Sequence, residues 1–234
     1  LHVRSRRQRQ MCIRDSYSSI PVISAPHGMA LGGGCEVSIH ADKMVAAAET
    51  YIGLVEVGVG LIPGGGGSKE FTRRAMMNLL KDDVKVNHLR DYFMNIATAK
   101  VATSAYEAKN MGIVRDQDVI VVNTDRQIAE AKKQAILLAE AGYTQPVREK
   151  IRVLGREAMG MFYVGTDSMV AGNFATDHDR LIANKLGYVM TGGNLSESTE
   201  VSEQYLLDLE REAFLSLCGE RKTLERIQHM LKTG

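Results

Sequence analysis

Short runs of apolar residues in the first part of the chain predict buried strands. The runs are rich in β-branched residues and are bounded by proline, glycine or polar residues, which is typical of short strands in a core. They are IPVISAP at 20–26, MVAAA at 44–48 and DVIVV at 118–122. Between the runs, apolar residues recur at helical spacing, so we expect strands and helices to alternate here.

Helices are predicted at several positions in the same part of the chain. They are CEVSIHA at 35–41, a segment that begins near Ser68, FMNIATA at 93–99, SAYEAKNMGIV at 104–114, and 125–142. The first of them follows a glycine triplet, Gly32 to Gly34, which lets the backbone of the helix start approach another group closely. Gly112 and Gly142 are suitable residues to end the last two helices.

The last third of the chain has helical spacing of its apolar residues and no pattern that predicts a strand. The helical segments are 155–171, 176–190 and 199–231. The pattern therefore predicts an α/β fold, with an α/β core at 17–143 and a helical C-terminal region at 144–234.

Residues 1–16 differ from the rest of the chain in charge and in pattern. They hold five of the 29 Lys and Arg residues and one of the 28 Asp and Glu residues, which leaves a net charge of −3 for the remainder. Their polar residues show no periodic apolar face, so we expect no folded element there. The string LHVRSRRQRQMCIRDS resembles a translated sequencing-adapter remnant, and a solvated native tail is the alternative.

Composition excludes several classes of protein. The longest apolar runs are too short for a membrane span, and three cysteines in 234 residues do not form a disulfide scaffold. We expect a reducing, cytoplasmic location, no membrane span and no nucleic-acid partner. A metal site is not predicted either, because Asp177-His178-Asp179 has no second ligand cluster and suits an exposed helix start better.

Half of the glycines lie in one segment, which is where a site built from backbone groups is expected. Eleven of the 22 lie between Gly28 and Gly67, yet neither a dinucleotide fingerprint nor a phosphate-binding loop is complete there. A helix that starts at Gly33 could donate an N–H group to a developing oxyanion, and Glu36 and Glu56 could move protons. Spacing alone favours a surface helix residue for Glu36 and a solvated loop residue for Glu56.

Two longer segments resemble the crotonase (enoyl-CoA hydratase/isomerase) family. They are HGMALGGGCEVSIHADKMVAAA at 27–48 and YIGLVEVGVGLIPGGGGSKEFTRRA at 51–75. The resemblance implies a crotonase-type ββα spiral core followed by helices. In that family a further stretch of strands and helices precedes this point and supplies the second oxyanion N–H, so we expect the chain to start inside the domain.

The resemblance also implies roles for individual residues. The oxyanion N–H falls on Gly33, and the two glutamates that flank the catalytic water fall on Glu36 and Glu56. We expect Glu36 to activate the water and Glu56 to supply the proton when a trans-2-enoyl-CoA becomes a 3-hydroxyacyl-CoA in β-oxidation. Residues expected to line the acyl-CoA site are Gly32, Gly34, His27 and Gly64. Arg73 and Arg74 could meet coenzyme A phosphates, although an exposed helix face suits them better.

A second resemblance is to the C-terminal hydratase portion of fusions with a 3-hydroxyacyl-CoA dehydrogenase. The segments that carry it are FMNIATAKVATSAYEA and QYLLDLEREAFLSLCGERKTLERIQHMLKTG, together with an insert at 76–95. It implies no cofactor in this chain, NAD only in the dehydrogenase part, and a homo-oligomer. The alternatives are an enoyl-CoA isomerase and a noncatalytic module that binds coenzyme A or serves assembly.

Overall fold

The computed structural model describes residues 2–77, 79 and 83–233, with the backbone alone for 2–7. Residues 78 and 80–82 of the predicted insert lie outside the described residues. Helices are α1 His2–Ser16, α2 Gly33–Ile39, α3 Gly67–Met77, α4 Lys85–Ala97, α5 Ala105–Asn110, α6 Gln127–Glu140, α7 Gly155–Ala171, α8 Asp177–Met190, α9 Glu203–Cys218 and α10 Arg221–Thr233. Strands are β1 Ile23–Ser24, β2 Met29–Leu31, β3 Lys43–Ala47, β4 Tyr51–Gly53, β5 Val119–Val121, β6 Ile151–Val153 and β7 Thr199–Val201.

The chain forms two compact units. The first unit is Leu1–Leu54 with Val101–Arg148, and the second unit is Val55–Lys100 with Glu149–Gly234. This division differs from the predicted boundary at residue 144, because residues 55–100 belong with the C-terminal helices. The α/β class with a helical C-terminal region is confirmed.

The first unit is built on parallel strands. The order β1-β3-β5 forms one sheet, in which Ile23 pairs with Lys43 and Val45 with Val119, and β2 pairs with β4 in a second. The β3 side chains from Met44 to Ala47 are buried, as expected for a parallel sheet covered on both faces. Gln127, at the start of α6, donates from Nε2 to the carbonyl oxygens of Pro26 and Val45, both at 2.8 Å, and so fixes α6 to the sheet.

The expectation that residues 1–16 do not fold is corrected, since α1 occupies His2–Ser16. The segment contains neither glycine nor proline, and its Arg, Gln and Met residues have good helix propensity. Cys12 is buried and α1 packs against α2. This tertiary contact stabilises a helix whose own apolar periodicity is weak.

Among its described residues, the second unit has helices and one short antiparallel pair of strands. Ile151 of β6 lies opposite Val201 of β7, and the buried, exposed, buried alternation along β6 is that of a strand with one covered face. The prediction of no strand in this region is therefore wrong. Three-residue strands are too short to show a period, and the predicted helix from residue 199 begins only at Glu203, capped by Ser202.

Core contacts in the second unit come from α3, α4, α7, α8 and α9. The rings of Phe93 on α4 and Phe162 on α7 stack with centroids 4.3 Å apart. No helix in the described part of the chain is long and apolar enough to cross a bilayer.

Candidate active site

The glycine triplet opens α2 in a conformation that requires glycine. Gly32 has φ 53°, in the region that side chains disfavour, and its N–H donates to the Gly53 carbonyl at the end of β4. The Glu36 N–H returns to the Gly32 carbonyl at 2.9 Å, which closes the first turn. Gly33 therefore lies at the positive end of the helix and Glu36 lies in its first turn.

Glu36 is buried, so the surface-residue interpretation of it is wrong. Its exposure is 2%, and the neighbouring Cys35 is fully buried, as expected for a small helix residue. The Glu36 carboxylate accepts from Nε2 of Gln8 at 2.9 Å, and the same nitrogen donates to the Gly33 carbonyl at 2.9 Å. A carboxylate thus sits beside the glycine start of α2 with a defined hydrogen-bond partner.

Gln8 is a hydrogen-bond partner of the candidate site that the sequence did not predict. It belongs to the segment for which no fold was expected, and a polar side chain in a polar segment carries no signal of a partner 25 or 28 residues away. The Gln8 amide also fills the space beside the Gly33 Cα, since a Cβ added there would lie 2.5 Å from Gln8 Nε2.

The predicted substrate-lining residues divide between the two units. His27, Gly32 and Gly34 belong to the first unit with Glu36; His27 and Gly34 are exposed, whereas Gly32 is buried. Gly64 is buried in the second unit, to which Glu56 also belongs. That the Glu36 and Glu56 carboxyl groups lie close together stays a prediction.

Glu56 begins a 3-10 turn, Glu56–Val59, and its carboxyl is withdrawn from solvent. The residue as a whole is half-buried, but its Oε2 is buried and has no hydrogen-bond partner among the described residues. Burial raises the pKa of Glu56 to about 7, and the charge of Glu210 acts in the same direction. A group with this pKa can give or take a proton near neutral pH. Because Oε2 is buried, the solvated-loop interpretation of Glu56 is wrong.

Glu210 on α9 is a second buried carboxylate of the second unit, and its position could not be read from the sequence. It accepts backbone N–H groups of Gly66 at 2.7 Å, Ser68 at 2.9 Å and Lys69 at 3.4 Å. These amides belong to the glycine-rich loop and the first turn of α3, so Glu210 caps the positive end of that helix.

The expectation of an exposed face is corrected for Arg74, whereas the Arg73 side chain is 32% exposed. Arg73 Nη2 lies 2.6 Å and Arg74 Nε 2.9 Å from Oε1 of Glu70, which is buried, and Arg74 itself is buried. Burial alone would raise the pKa of Glu70, but the adjacent cations hold it well below its usual value. The two arginines therefore serve an internal ion-pair cluster with Glu70.

The segment at 177–179 is a helix start, as predicted. Thr176 and Asp179 form a capping box at the start of α8, and His178 is buried with its Nε2 3.0 Å from Thr223 Oγ1. Within the described residues no group of three or more metal-ligating side chains occurs.

Comparison with known proteins identifies the family. The family model of enoyl-CoA hydratase/isomerase matches residues 9–144, which is more than half of the chain. The chain belongs to this family. The match begins inside the segment 1–16. The interpretation of that segment as a sequencing-adapter remnant stays a prediction.

Relatives agree with this assignment. A Bacillus subtilis (strain 168) protein named "Probable 3-hydroxyacyl-CoA dehydrogenase" is 44% identical over 98% of this chain and 29% of its own length. The "Short-chain-enoyl-CoA hydratase" of Clostridium acetobutylicum is 43% identical over 61 residues, 26% of this chain and 23% of that protein. The chain thus spans less than a third of the length of these relatives.

Solved structures support the crotonase fold. An enoyl-CoA hydratase from Mycobacterium avium subsp. paratuberculosis K-10 has a TM-score of 0.53 at 16% identity, with 97% of this chain and 69% of that chain covered. The resemblance inferred from residues 27–75 is therefore confirmed for family and fold.

Proposed function

We propose that the protein to which this chain belongs hydrates trans-2-enoyl-CoA thioesters to 3-hydroxyacyl-CoA in fatty acid β-oxidation. The observation that carries the proposal is the Glu56 carboxyl, buried with a pKa of about 7. Glu36, buried in the first turn of a helix that starts at Gly33, supports it. Addition of water across a polarised double bond needs a base and an acid at the same pH. One ionised and one protonated carboxyl group can fill these two roles.

In this proposal each residue has a separate task. Glu36 removes a proton from water as the oxygen bonds to C3, and Glu56 gives its proton to C2. Negative charge gathers on the thioester oxygen meanwhile, and the Gly33 N–H at the positive end of α2 stabilises it. Loss of one such donor costs about a hundred- to a thousand-fold in rate.

The proposal extends to the longer protein. The name of the Bacillus subtilis relative and the share of its length that this chain spans support a fusion with a 3-hydroxyacyl-CoA dehydrogenase. NAD would then bind in the dehydrogenase portion, and the acyl-CoA thioester would be the ligand of this portion. Assembly as a homo-oligomer and a cytoplasmic location are part of the same proposal.

The test is hydration of crotonyl-CoA by the full-length protein, followed as loss of the enoyl thioester absorbance. Glu36→Gln and Glu56→Gln should each lower kcat by about a hundred-fold or more, because each removes a proton-transfer group. Glu49→Gln is the matched control, since Glu49 is exposed in the same part of the chain and should keep full activity. Full activity in either Glu36→Gln or Glu56→Gln would refute the assigned pair.

Isomerisation is distinguished in the same assay. In this family it can run with the second glutamate alone, so Glu36 favours hydration. Conversion of a 3-enoyl-CoA faster than hydration, and insensitive to Glu36→Gln, would replace the hydratase assignment by an isomerase. A folded full-length protein that binds acyl-CoA without converting either substrate would instead indicate the noncatalytic module.

A further inference from the structure

Thr223 is a buried polar residue in a helix whose side chains are mostly exposed. It lies in the first turn of α10 with exposure 0%, whereas its neighbours Lys222 and Leu224 are exposed. The Thr223 hydroxyl donates to the Gly60 carbonyl at 2.8 Å, and its oxygen lies 3.0 Å from Nε2 of His178 on α8. A hydroxyl has one hydrogen, so the His178 ring is the donor in the second bond. Two hydrogen bonds therefore compensate the burial of this hydroxyl.

These two hydrogen bonds join three elements of the second unit. Gly60 ends the 3-10 turn Glu56–Val59, so the bond to its carbonyl reaches the turn that carries Glu56. On the other side, α8 and α10 are also joined by an ion pair, in which Nη2 of Arg226 lies 2.7 Å from Oδ1 of Asp179. The ion pair supports the same helix junction from which the hydroxyl reaches the turn.

The place of the Glu56 carboxyl depends on the backbone of this turn. Its Oε2 has no hydrogen-bond partner among the described residues, and hydrogen bonding from the backbone of Glu56 and Val55 acts against the effect of burial on its pKa. The turn is closed by the Gly60 N–H, which donates to the Val57 carbonyl, and by the Leu61 N–H, which donates to the Glu56 carbonyl, both at 3.0 Å. A shift at the Gly60 end would therefore move the carboxyl as well.

We propose that Thr223 is a positioning residue for Glu56: its hydroxyl holds the end of the turn against α8 and α10, so that the carboxyl stays where the reaction needs its proton. The proposal rests on the hydratase function proposed above, in which Glu56 is the acid. Thr223 acts through the turn and not through contact with the substrate. Displacement of a reacting group by about 1 Å can cost about a hundred-fold in rate, so a hold of this kind matters for turnover.

The direct test is Thr223→Val in the full-length protein, because valine has nearly the shape of threonine but no hydroxyl. The change removes the donor to the Gly60 carbonyl and the acceptor of the His178 ring. We expect kcat for crotonyl-CoA to fall about ten- to a hundred-fold, because the acid is displaced. KM should change by no more than about twofold, because the contacts that bind the substrate remain. Thr223→Ser keeps the hydroxyl and should keep kcat within about threefold.

Thr233→Val is the matched control, since Thr233 is exposed at the other end of the same helix. It should leave both kcat and KM unchanged. A general loss of packing would lower kcat in Thr223→Ser as well, because serine lacks the methyl group of threonine. An unchanged kcat in Thr223→Val, or an equal loss in Thr223→Val and Thr223→Ser, would overturn the proposal.

Thr223→Val could also fail to fold, because it leaves two buried polar groups without partners. Thr223→Ser and Thr223→Ala then make the same comparison with smaller side chains, since these two variants also differ by one hydroxyl. The value of kcat should be about tenfold higher in Thr223→Ser than in Thr223→Ala. Equal values in these two variants would contradict the proposal.

Hydrogen exchange of the full-length protein, followed by mass spectrometry, tests the hold on the turn without turnover. In Thr223→Val the peptide that contains the Gly60 and Leu61 amides should exchange about tenfold faster, because the turn opens more easily without the hydroxyl. A peptide from the middle of α7 reports global unfolding and should keep its rate. Unchanged exchange at the turn, or the same acceleration in α7, would refute the hold of Thr223 on the turn.

The two readouts separate failure of this proposal from failure of the hydratase function. If Glu56→Gln is inactive while Thr223→Val has full kcat, the hydratase function stands and the positioning role is refuted. Full activity in Glu56→Gln would instead refute the assigned acid itself. Loss of kcat together with faster exchange at the turn, both restored in Thr223→Ser, would support the positioning role.

Discussion

Gly60 ends the turn that carries Glu56, and two constraints require glycine there. Its φ is +86°, and a Cβ would lie 2.7 Å from Thr223 Oγ1 and 2.9 Å from the Thr223 Cα. The Thr223 hydroxyl donates to the Gly60 carbonyl at 2.8 Å, so α10 packs directly on this turn. Since that hydroxyl hydrogen is used, the His178 Nε2 must be the donor to Thr223 Oγ1.

We predict that Gly60→Ala destabilises the protein by about 1–3 kcal/mol, because it adds backbone strain to a steric clash with backbone atoms. Gly58→Ala is the control within the same turn. A Cβ at Gly58 meets nothing within 4 Å, so this change should cost no more than about 0.5 kcal/mol.

Urea unfolding followed by circular dichroism measures both changes in the free energy of unfolding. Equal losses in the two variants would contradict both constraints at residue 60. A loss confined to Gly60→Ala would support the positive φ and the close approach of Thr223 taken together.

At the scale of elements, buried charges join α3 to α9. Lys69 has a side-chain exposure of 1%, and its Nζ lies 2.6 Å from Glu203 and 3.4 Å from Glu70. Glu70 has Arg73 and Arg74 as further partners, whereas Oε2 of Glu203 has none among the described residues. Glu203 therefore depends on Lys69 more than Glu70 does.

We predict that Lys69→Met lowers the free energy of unfolding by about 3–5 kcal/mol, because it leaves the Glu203 charge buried without compensation. The double variant Lys69→Met/Glu203→Leu removes both charges and should recover most of that loss. Lys232→Met, at an exposed position on α10, should change stability by no more than about 0.5 kcal/mol.

A double-mutant cycle in urea measures the coupling between the two charges. If Glu203→Leu adds its own loss to that of Lys69→Met, the two charges are not coupled. Recovery in the double variant would show that the cost lies in the uncompensated charge.

Elements with local signals could be predicted from sequence, whereas long-range polar partners could not. The start of α3 at Gly67, β3 and the end of α6 follow from periodicity and glycine positions. Glu210 meets the Gly66 amide across 144 residues, and Lys69 meets Glu203 across 134. On α9, a glutamate that caps another helix has the same local pattern as one in solvent, so no periodicity distinguishes Glu210 from Glu212.

The family resemblance identified the two candidate glutamates, but it did not predict the residues that contact them. The family motifs identify Glu36 and Glu56 as candidates. Tertiary packing brings Gln8 into contact with Glu36 and buries the Glu56 carboxyl, and the motifs show neither. The position of Gly33 at the start of α2 was predictable, because a glycine triplet before an apolar run is a local signal.

At the scale of the whole molecule, the second unit takes its residues from two separate stretches of the chain. The stretch 149–234 carries Glu203 and Glu210, and the stretch 55–100 carries their partners on α3 and its preceding loop. Strands β6 and β7 both come from the later stretch, and β6 also contacts α3. A division of the chain at residue 144 therefore separates groups that are buried together.

We predict that residues 149–234 do not fold alone, because Glu203 and Glu210 would lose Lys69 and the three amides and remain as buried charges without partners. Residues 55–234 with a flexible Gly/Ser linker of about 20 residues in place of 101–148 should unfold cooperatively, since both stretches of the unit are then present. Circular dichroism during urea unfolding compares the two polypeptides.

The linked polypeptide also carries its own control. Glu210→Leu in it removes the acceptor of the Gly66, Ser68 and Lys69 amides, and leaving such donors buried without a partner costs about 1–3 kcal/mol each. Its unfolding should therefore occur at clearly lower urea concentration than that of the unsubstituted form. Cooperative folding of 149–234 by itself would contradict the two-stretch unit, because it would show that the C-terminal helices complete their core without α3.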